Sequence, residues 1–403
     1  MIKKLLLLSA VAVIFAVPVR VSAATAAREA LPEELKILSK KGLDCIYGVD
    51  IPAAEKYFKT ALEKYPEHPF PYFGIAMVTW ANLEYLEDES DPALEASYSS
   101  LTDKAIEVGK VWVKKHPGDA NAYLCMGGLY GLRARLAVLQ HRWIRAYLDG
   151  RKALKNMRKS VDIDPELYDA YLGLGMYEYY AGTLPGVVKF LAKLVMPGNA
   201  REGIRLLNIC REKGYFNSLG AKLLLIEIYT QTGSPYADPP TAVKWSKELR
   251  AMFPNHAQMH FVEIVSLFEN RQYDESLRES MDYLRRVYDK ENTVYRARFL
   301  PRVLTAIGTD YLVEGKYDLA AEYFLKARNT INENKNAHPA RWAVWAIVRL
   351  GNVSDLRGKR AEALEYYREA KSFGDEWGFH ESADKYIKKP FAKSELPGSL
   401  PPP

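Results

Sequence analysis

In residues 306–327, AIGTDYLVEGKYDLAAEYFLKA, small residues hold fixed places in an otherwise bulky, helix-forming pattern. Gly308, Gly315, Ala320 and Ala327 are set among Tyr311, Tyr317 and Phe324. The arrangement returns in residues 344–377 as Leu350, Gly351, Gly358, Ala363, Leu364, Tyr367 and Ala370, and in residues 35–68 as Gly42, Ala54, Phe58, Ala61 and Pro66. In all three stretches 12 residues separate the glycine from the alanine. Two antiparallel helices approach closely only where their contact carries no bulky side chain. The pattern therefore predicts that the first-helix glycine meets the second-helix alanine, and that aromatic residues fill the wider gaps between neighbouring units. Pro66, Pro117, Pro165 and Pro254 stand where a second helix must stop, because proline cannot continue the hydrogen-bond ladder.

Eight units follow from this register, with second-helix small positions at Ala54, Ala105, Ala153, Gly203, Ala242, Ser276, Ala320 and Ala363. Six of them also have a first-helix glycine, at Gly42, Gly74, Gly127, Gly175, Gly308 and Gly351. The fifth and sixth units, near 219–290, lack it. This pattern resembles the tetratricopeptide (TPR) superfamily, whose unit is a helix–turn–helix of about 34 residues with small residues where helices touch. The resemblance implies an all-α solenoid of about eight helix pairs across 35–377. Residues 24–34 form a lead-in, 378–391 a capping helix, and 392–403 a disordered Pro-rich tail.

Units two, three and four break the spacing. Gly74 to Ala105 is 31 residues, Gly127 to Ala153 is 26, and Gly175 to Gly203 is 28. The excess predicts inserts at about 83–100, 132–148 and 182–200, emerging together on one edge of the solenoid. The first is acidic, with Glu84, Glu87, Asp88, Glu89, Asp91 and Glu95. The second is basic, with Arg133, Arg135, Arg142 and Arg145 beside Trp143. The third, which includes Leu184 and Phe190, is apolar with Lys189 and Lys193 one turn apart. Its short apolar face and two lysines give little attraction for a membrane interface.

The expected interaction surface joins these inserts to the repeat face, through Arg133, Arg135, Arg142, Trp143, Arg145, Leu184, Phe190, Asn121, Tyr179, Arg349 and Asn352. Some TPR proteins clamp a partner's C-terminal carboxylate with basic and amide residues on their first helices, and only Arg349 and Asn352 match that pattern. Asn121, Leu124, Gly128 and Gly131 in unit three and Leu172 and Met176 in unit four do not. The resemblance therefore favours an apolar or aromatic peptide.

The chain has 403 residues, 48% of them apolar and 26% charged, an ordinary globular composition. Its first residues, MIKKLLLLSAVAVIFAVPVRVSA, pair Lys3 and Lys4 with an apolar run and a small-x-small site, which reads as a secretory signal over 1–23. The expected location is periplasmic or secreted. Losing Lys3, Lys4 and Arg20 lowers the net charge from +6 to +3, too little to predict nucleic-acid binding. Cys45, Cys125 and Cys210 are odd in number and irregularly spaced, so no full disulfide framework is implied and apolar packing is expected.

Little suggests catalysis. His256 and His260 in HAQMH have the spacing of two zinc ligands on one helical face, with Glu263 as a third candidate, but Ala257 stands where a metalloprotease needs its glutamate. GLGMY at 173–177 resembles a nucleotide loop but lies within a helical repeat. The sequence predicts no enzyme, cofactor or metal. It predicts an exported scaffold binding a protein partner in the cell envelope. The alternative is a structural subunit of an envelope polysaccharide or outer-membrane assembly machine, stacking some of its 27 tyrosines and 7 tryptophans on glycan.

Overall fold

The computed structural model describes residues 28–82, 92–140, 142–183, 198–333, 341–374 and 378–396. Helices α1 (Glu33–Tyr47) and α2 (Ile51–Lys64) form the first pair, and α3 (Pro69–Ala81) and α4 (Pro92–Lys115) the second. Then come α5 (Ala120–Leu139) with α6 (Trp143–Ile163), and α7 (Ala170–Gly182) with α8 (Ala200–Lys213). The chain continues through α9 (Ser218–Tyr229), α10 (Pro239–Met252), α11 (Ala257–Glu269) and α12 (Tyr273–Tyr288). The last pairs are α13 (Leu300–Val313) with α14 (Tyr317–Glu333) and α15 (Arg341–Leu356) with α16 (Arg360–Ser372), followed by α17 (Phe379–Lys388). The fold is an all-α solenoid of TPR-like pairs, and the described residues contain no strand. Two compact units divide it, one holding most of the chain up to Lys222 and the other running from Leu223.

All four predicted stops occur. Tyr65, Asp164 and Phe253 are the C-caps of α2, α6 and α10, each with proline next, and Pro117 follows the end of α4 by two residues. Asp50, Asp119, Asn199 and Asp238 then accept backbone N–H groups at the starts of α2, α5, α8 and α10, satisfying donors that have no partner within their helix.

The small residues also serve a purpose beyond the expectation. The side chain four residues beyond the alanine comes nearest to the glycine. A Cβ on Gly308 would stand 2.6 Å from the Phe324 ring, one on Gly351 2.3 Å from Tyr367, and one on Gly42 2.6 Å from Phe58. Alanine and ring share one face of the second helix, so the alanine lets the backbones close while the ring fills the space the glycine leaves. Phe58 also lies where a Cβ of Gly74 would be, at 2.0 Å, so one ring joins the first and second pairs. In units three and four the corresponding residues are Met157 over Gly127 and Leu207 over Gly175. A Cβ on Gly203 would stand 2.5 Å from the Tyr179 nitrogen, so in the fourth pair the two backbones themselves touch.

Unit six reverses this allocation. Ile264 occupies the first-helix glycine position and Ser280 the second-helix ring position, and both are buried. Ser276 Oγ lies 3.4 Å from the Ile264 carbonyl, confirming the register. The bulk has moved from the second helix to the first, which explains the missing glycine.

The turns inside four pairs share one backbone device, a residue with positive φ at the end of the first helix. Gly315 (φ 76°) and Gly358 (φ 72°) adopt it without strain, whereas Val49 (φ 62°) and Arg271 (φ 60°) carry side chains there.

The second insert is not a separate segment. Its residues lengthen α5 and α6 to 20 and 21 residues, and part of the first insert lengthens α4 to 24. The added turns of α4 and α5 meet around Trp80, Tyr98 and Leu136. The third insert lies outside the described residues from 184 to 197, as does 83–91 of the first. The tail also differs from expectation over 392–396: Phe391 is buried, and Glu395 takes Lys385 Nζ at 2.6 Å and the Ala392 N–H at 3.0 Å. Residues 1–27 and 397–403 are outside the described range.

Two predictions follow from this packing. Gly308→Ala should destabilise the second unit by about 1–3 kcal/mol through overpacking against Phe324, and a Phe324→Leu background should reduce the effect, read from urea melts by circular dichroism. Arg271→Gly should instead stabilise by about 1 kcal/mol, because it removes a side chain from the left-handed region.

Candidate interaction surfaces

The predicted arginine cluster is mostly consumed internally. Arg133 on α5 grips Asp149 on α6 with two bonds, Nε at 2.8 Å and Nη2 at 2.7 Å, and its Nη1 reaches Asp103 on α4 at 2.6 Å. Asp149 is buried and Asp103 exposed, so this fork ties three helices together from the interior to the surface. The two carboxylates raise the Arg133 pKa against the opposing effect of burial. Arg145 adds longer contacts to the same acids, 3.7 Å from Asp149 and 3.8 Å from Asp103. Arg135 lies 4.8 Å over the Trp80 ring.

The same hairpin end exposes a different set. Ile144 is 74% and Trp143 51% accessible, and Leu148 on α6 and Val138 on α5 are exposed beside Arg142. Sequence reasoning singled out Trp143 and Arg142 but missed the aliphatic residues. Ala153 and Met157 set the inward face of α6, and extending it back one turn reaches Asp149, leaving Ile144 and Leu148 outside.

Other predicted surface residues face inward. Tyr179 is buried in α7, packed on Tyr180 at 5.4 Å. Arg349 and Asn352 are buried in α15: Asn352 Nδ2 donates to Tyr367 Oη at 3.0 Å, and that hydroxyl donates to Asp355 Oδ2 at 2.8 Å. Burial holds the Arg349 guanidinium below its usual pKa. Asn352 therefore joins α15 to α16, and neither residue of the pair presents a carboxylate clamp at the surface. Asn121 is half-buried on α5, and Leu184 and Phe190 lie outside the described residues.

The two histidines do not converge. His256 is the N-cap of α11, its Nδ1 accepting from the Gln258 N–H at 3.1 Å. His260 is fully buried, with Nδ1 3.0 Å from Tyr295 Oη and Nε2 3.1 Å from Glu279 Oε2. Among the described residues, His260, Glu279 and Asp282 are the group whose donor atoms gather within 4.8 Å of one another. Both ring nitrogens of His260 already have partners, however, and Asp282 is held by Arg285 and by Arg286 Nε at 2.7 Å. Glu263, the third ligand expected from sequence, is not in that group. Arg302 on α13 also turns inward, to Gln258 and Tyr283, and stacks 4.1 Å over Phe299. Cys125 and Cys210 are buried and Cys45 half-buried, all as free thiols.

In the second unit, an open groove of about 640 Å³ runs between α12 and the end of α13, over Leu277, Met281 and Tyr311. Leu277 and Tyr311 are half-buried, while Asp274, Arg278 and Lys316 stand exposed around them. An apolar floor with a polar rim is the usual anatomy of a protein-binding patch.

No family profile matches the chain, and no curated protein matches it. Solved helical-repeat structures are similar at low identity. A tetratricopeptide repeat protein from Parabacteroides merdae is 12% identical, covering 88% of this chain and 100% of its own, with TM-score 0.32. NprR in complex with its cognate peptide NprX is 15% identical, covering 91% and 88%, with TM-score 0.42. The human IFIT1 dimer with PPP-AAAA is 13% identical, covering 90% and 86%, with TM-score 0.46. These likenesses carry no ligand or partner to this chain.

Titration gives a test of the buried polar groups. Burial, aided by Arg302, lowers the His256 pKa to about 4, and burial raises that of Glu263 to about 6. Above pH 6.5 His256 is neutral in both states. As pH falls toward 4 the unfolded chain takes a proton that the fold refuses, so stability is lost. Glu263 acts oppositely, its contribution being full below pH 4.5 and lost as pH rises through 6. His256→Asn keeps an N-cap. It should flatten the acid loss by on the order of 2–3 kcal/mol at pH 4.5, measured by urea melts at pH 7 and 4.5.

Proposed function

We propose that the protein is an exported, non-catalytic scaffold of the cell envelope that binds a protein partner. The observation that carries this reading is the open groove over Leu277, Met281 and Tyr311, an apolar floor rimmed by charged side chains. Stacked helix pairs build extended surfaces of this kind. The polar chemistry supports binding over catalysis, because the buried arginines, histidines and carboxylates hold helices to one another. The mixed charges around the groove, Asp274 and Glu314 with Arg278 and Lys316, favour a partner of mixed charge. Export rests on the leader at 1–23.

The glycan alternative finds less support. The exposed aromatics Trp143, Tyr180, Tyr215 and Tyr288 are spread over separate elements, whereas a sugar-stacking site would gather them. No helix among the described residues is long and apolar enough to cross a membrane.

Cross-linked affinity purification of the tagged protein from its native envelope tests the proposal. One protein should co-purify saturably and be displaced by untagged protein. Leu277→Glu or Tyr311→Ala should reduce its recovery by about tenfold or more, as loss of a hot-spot side chain does. Recovery of glycan without protein, or a partner indifferent to both variants, would sink the proposal.

A further inference from the structure

Basic residues are concentrated in α6 and its N-cap. Residues 142–163 hold seven cations, Arg142, Arg145, Arg151, Lys152, Lys155, Arg158 and Lys159, against two acids, Asp149 and Asp162. Asp149 is buried and gripped by Arg133, and it offsets Arg145 and Lys152 in part, each 3.7 Å from it. Arg142, Arg145, Arg151, Lys152, Lys155 and Arg158 are exposed. Ile144, Leu148, Arg151 and Lys155 succeed one another at helical spacing along one outward stripe, apolar at the hairpin end and basic beyond it.

The apolar end is not an unfinished part of the core. Beneath it, the added turns of α4 and α5 already close around Trp80, Tyr98 and Leu136. Val138, Trp143, Ile144 and Leu148 remain outside that cluster, gathered on either side of the short 140–142 connection. A contiguous exposed apolar set marks a surface that meets something.

We infer that this end of the α5–α6 hairpin docks on an anionic lipid surface, with Trp143, Ile144 and Leu148 entering the headgroup–acyl boundary and the cations of α6 lying against lipid phosphates. This goes beyond the scaffold reading, since it assigns an attachment site separate from the groove. The order of chemistry fits a bilayer interface, with apolar groups and a tryptophan at the leading end and long basic side chains behind that can reach phosphate while their stems lie on apolar surface. Lipid phosphates form a diffuse layer and require only a stripe of positive charge.

Vesicle flotation of the purified protein tests the inference. Binding should occur with phosphatidylcholine vesicles containing about one third phosphatidylglycerol, fail with phosphatidylcholine alone, and fall steeply between about 0.1 and 1 M salt. Trp143→Ser with Ile144→Ser and Leu148→Ser should weaken binding by about tenfold or more. Arg151→Glu with Lys155→Glu should weaken it as strongly at low salt, and both variants should keep the parent's circular dichroism because these side chains are exposed. Brominated acyl chains should quench the parent more than Trp143→Phe. No flotation with anionic vesicles at low salt overturns the inference, as does flotation that the triple variant leaves unchanged. If the same variants abolish capture of a protein partner while the parent fails to float, the face belongs to protein contacts and the lipid assignment is wrong. Groove variants should float normally, so failure of the scaffold reading would be seen separately.

Discussion

Where two helices of a pair cross, one helix must give up its side chain so that the other can place a bulky one. Phe324 over Gly308, Tyr367 over Gly351 and Phe58 between Gly42 and Gly74 are three instances of this steric exchange. The glycine weakens its own helix by roughly 1 kcal/mol relative to alanine, and burial of the ring, worth roughly 1.5–3 kcal/mol, outweighs that loss. The caps, proline stops and left-handed turns then orient each helix so that the ring arrives over the gap. Phe58 extends the exchange across a boundary between pairs, so the first two pairs share part of one core.

Charge in this protein is used mainly for joining. Arg133 holds α4, α5 and α6 through two carboxylates, Arg360 donates to the carbonyls of Tyr386 and Ile387 near the end of α17, and His260 sits between Tyr295 and Glu279. Such networks need every member. Removing one partner of a buried pair leaves the other charge uncompensated, at a cost of about 3–5 kcal/mol. This is why arginines that look available in the sequence are unavailable on the surface. The outer face of α6 is different, because its cations outnumber the acids within reach.

The repeat register was legible in the sequence because glycine, alanine and proline act through local sterics that depend little on context. The residue that fills each glycine gap was not, because it depends on how two helices cross. The reversal in unit six, Ile264 with Ser280, is visible only once the ring position is known to lie four residues beyond the small one. Spacing revealed the second insert but not its form, although Leu129, Leu132 and Leu136 keep helical period into it and could have shown that α5 continues. Arg349 and Asn352 matched a ligand clamp by residue type, yet the rotation of α15 turns both inward. The groove was missed because its floor comes from two helices, with Tyr311 lying 30 residues beyond Met281 and 34 beyond Leu277 in sequence.

Unit six also constrains how one arrangement could have given rise to the other. Converting a glycine-and-ring pair into an isoleucine-and-serine pair takes two substitutions, and their order matters. Gaining the isoleucine first forces two large groups into one space, where backbone as well as side chains must shift. Losing the ring first leaves a void that other side chains can partly fill, a more tolerable intermediate. The accessible route between the two packings therefore passes through a loosened pair, and a solenoid whose neighbouring pairs hold firm can carry one such pair while the second substitution arrives.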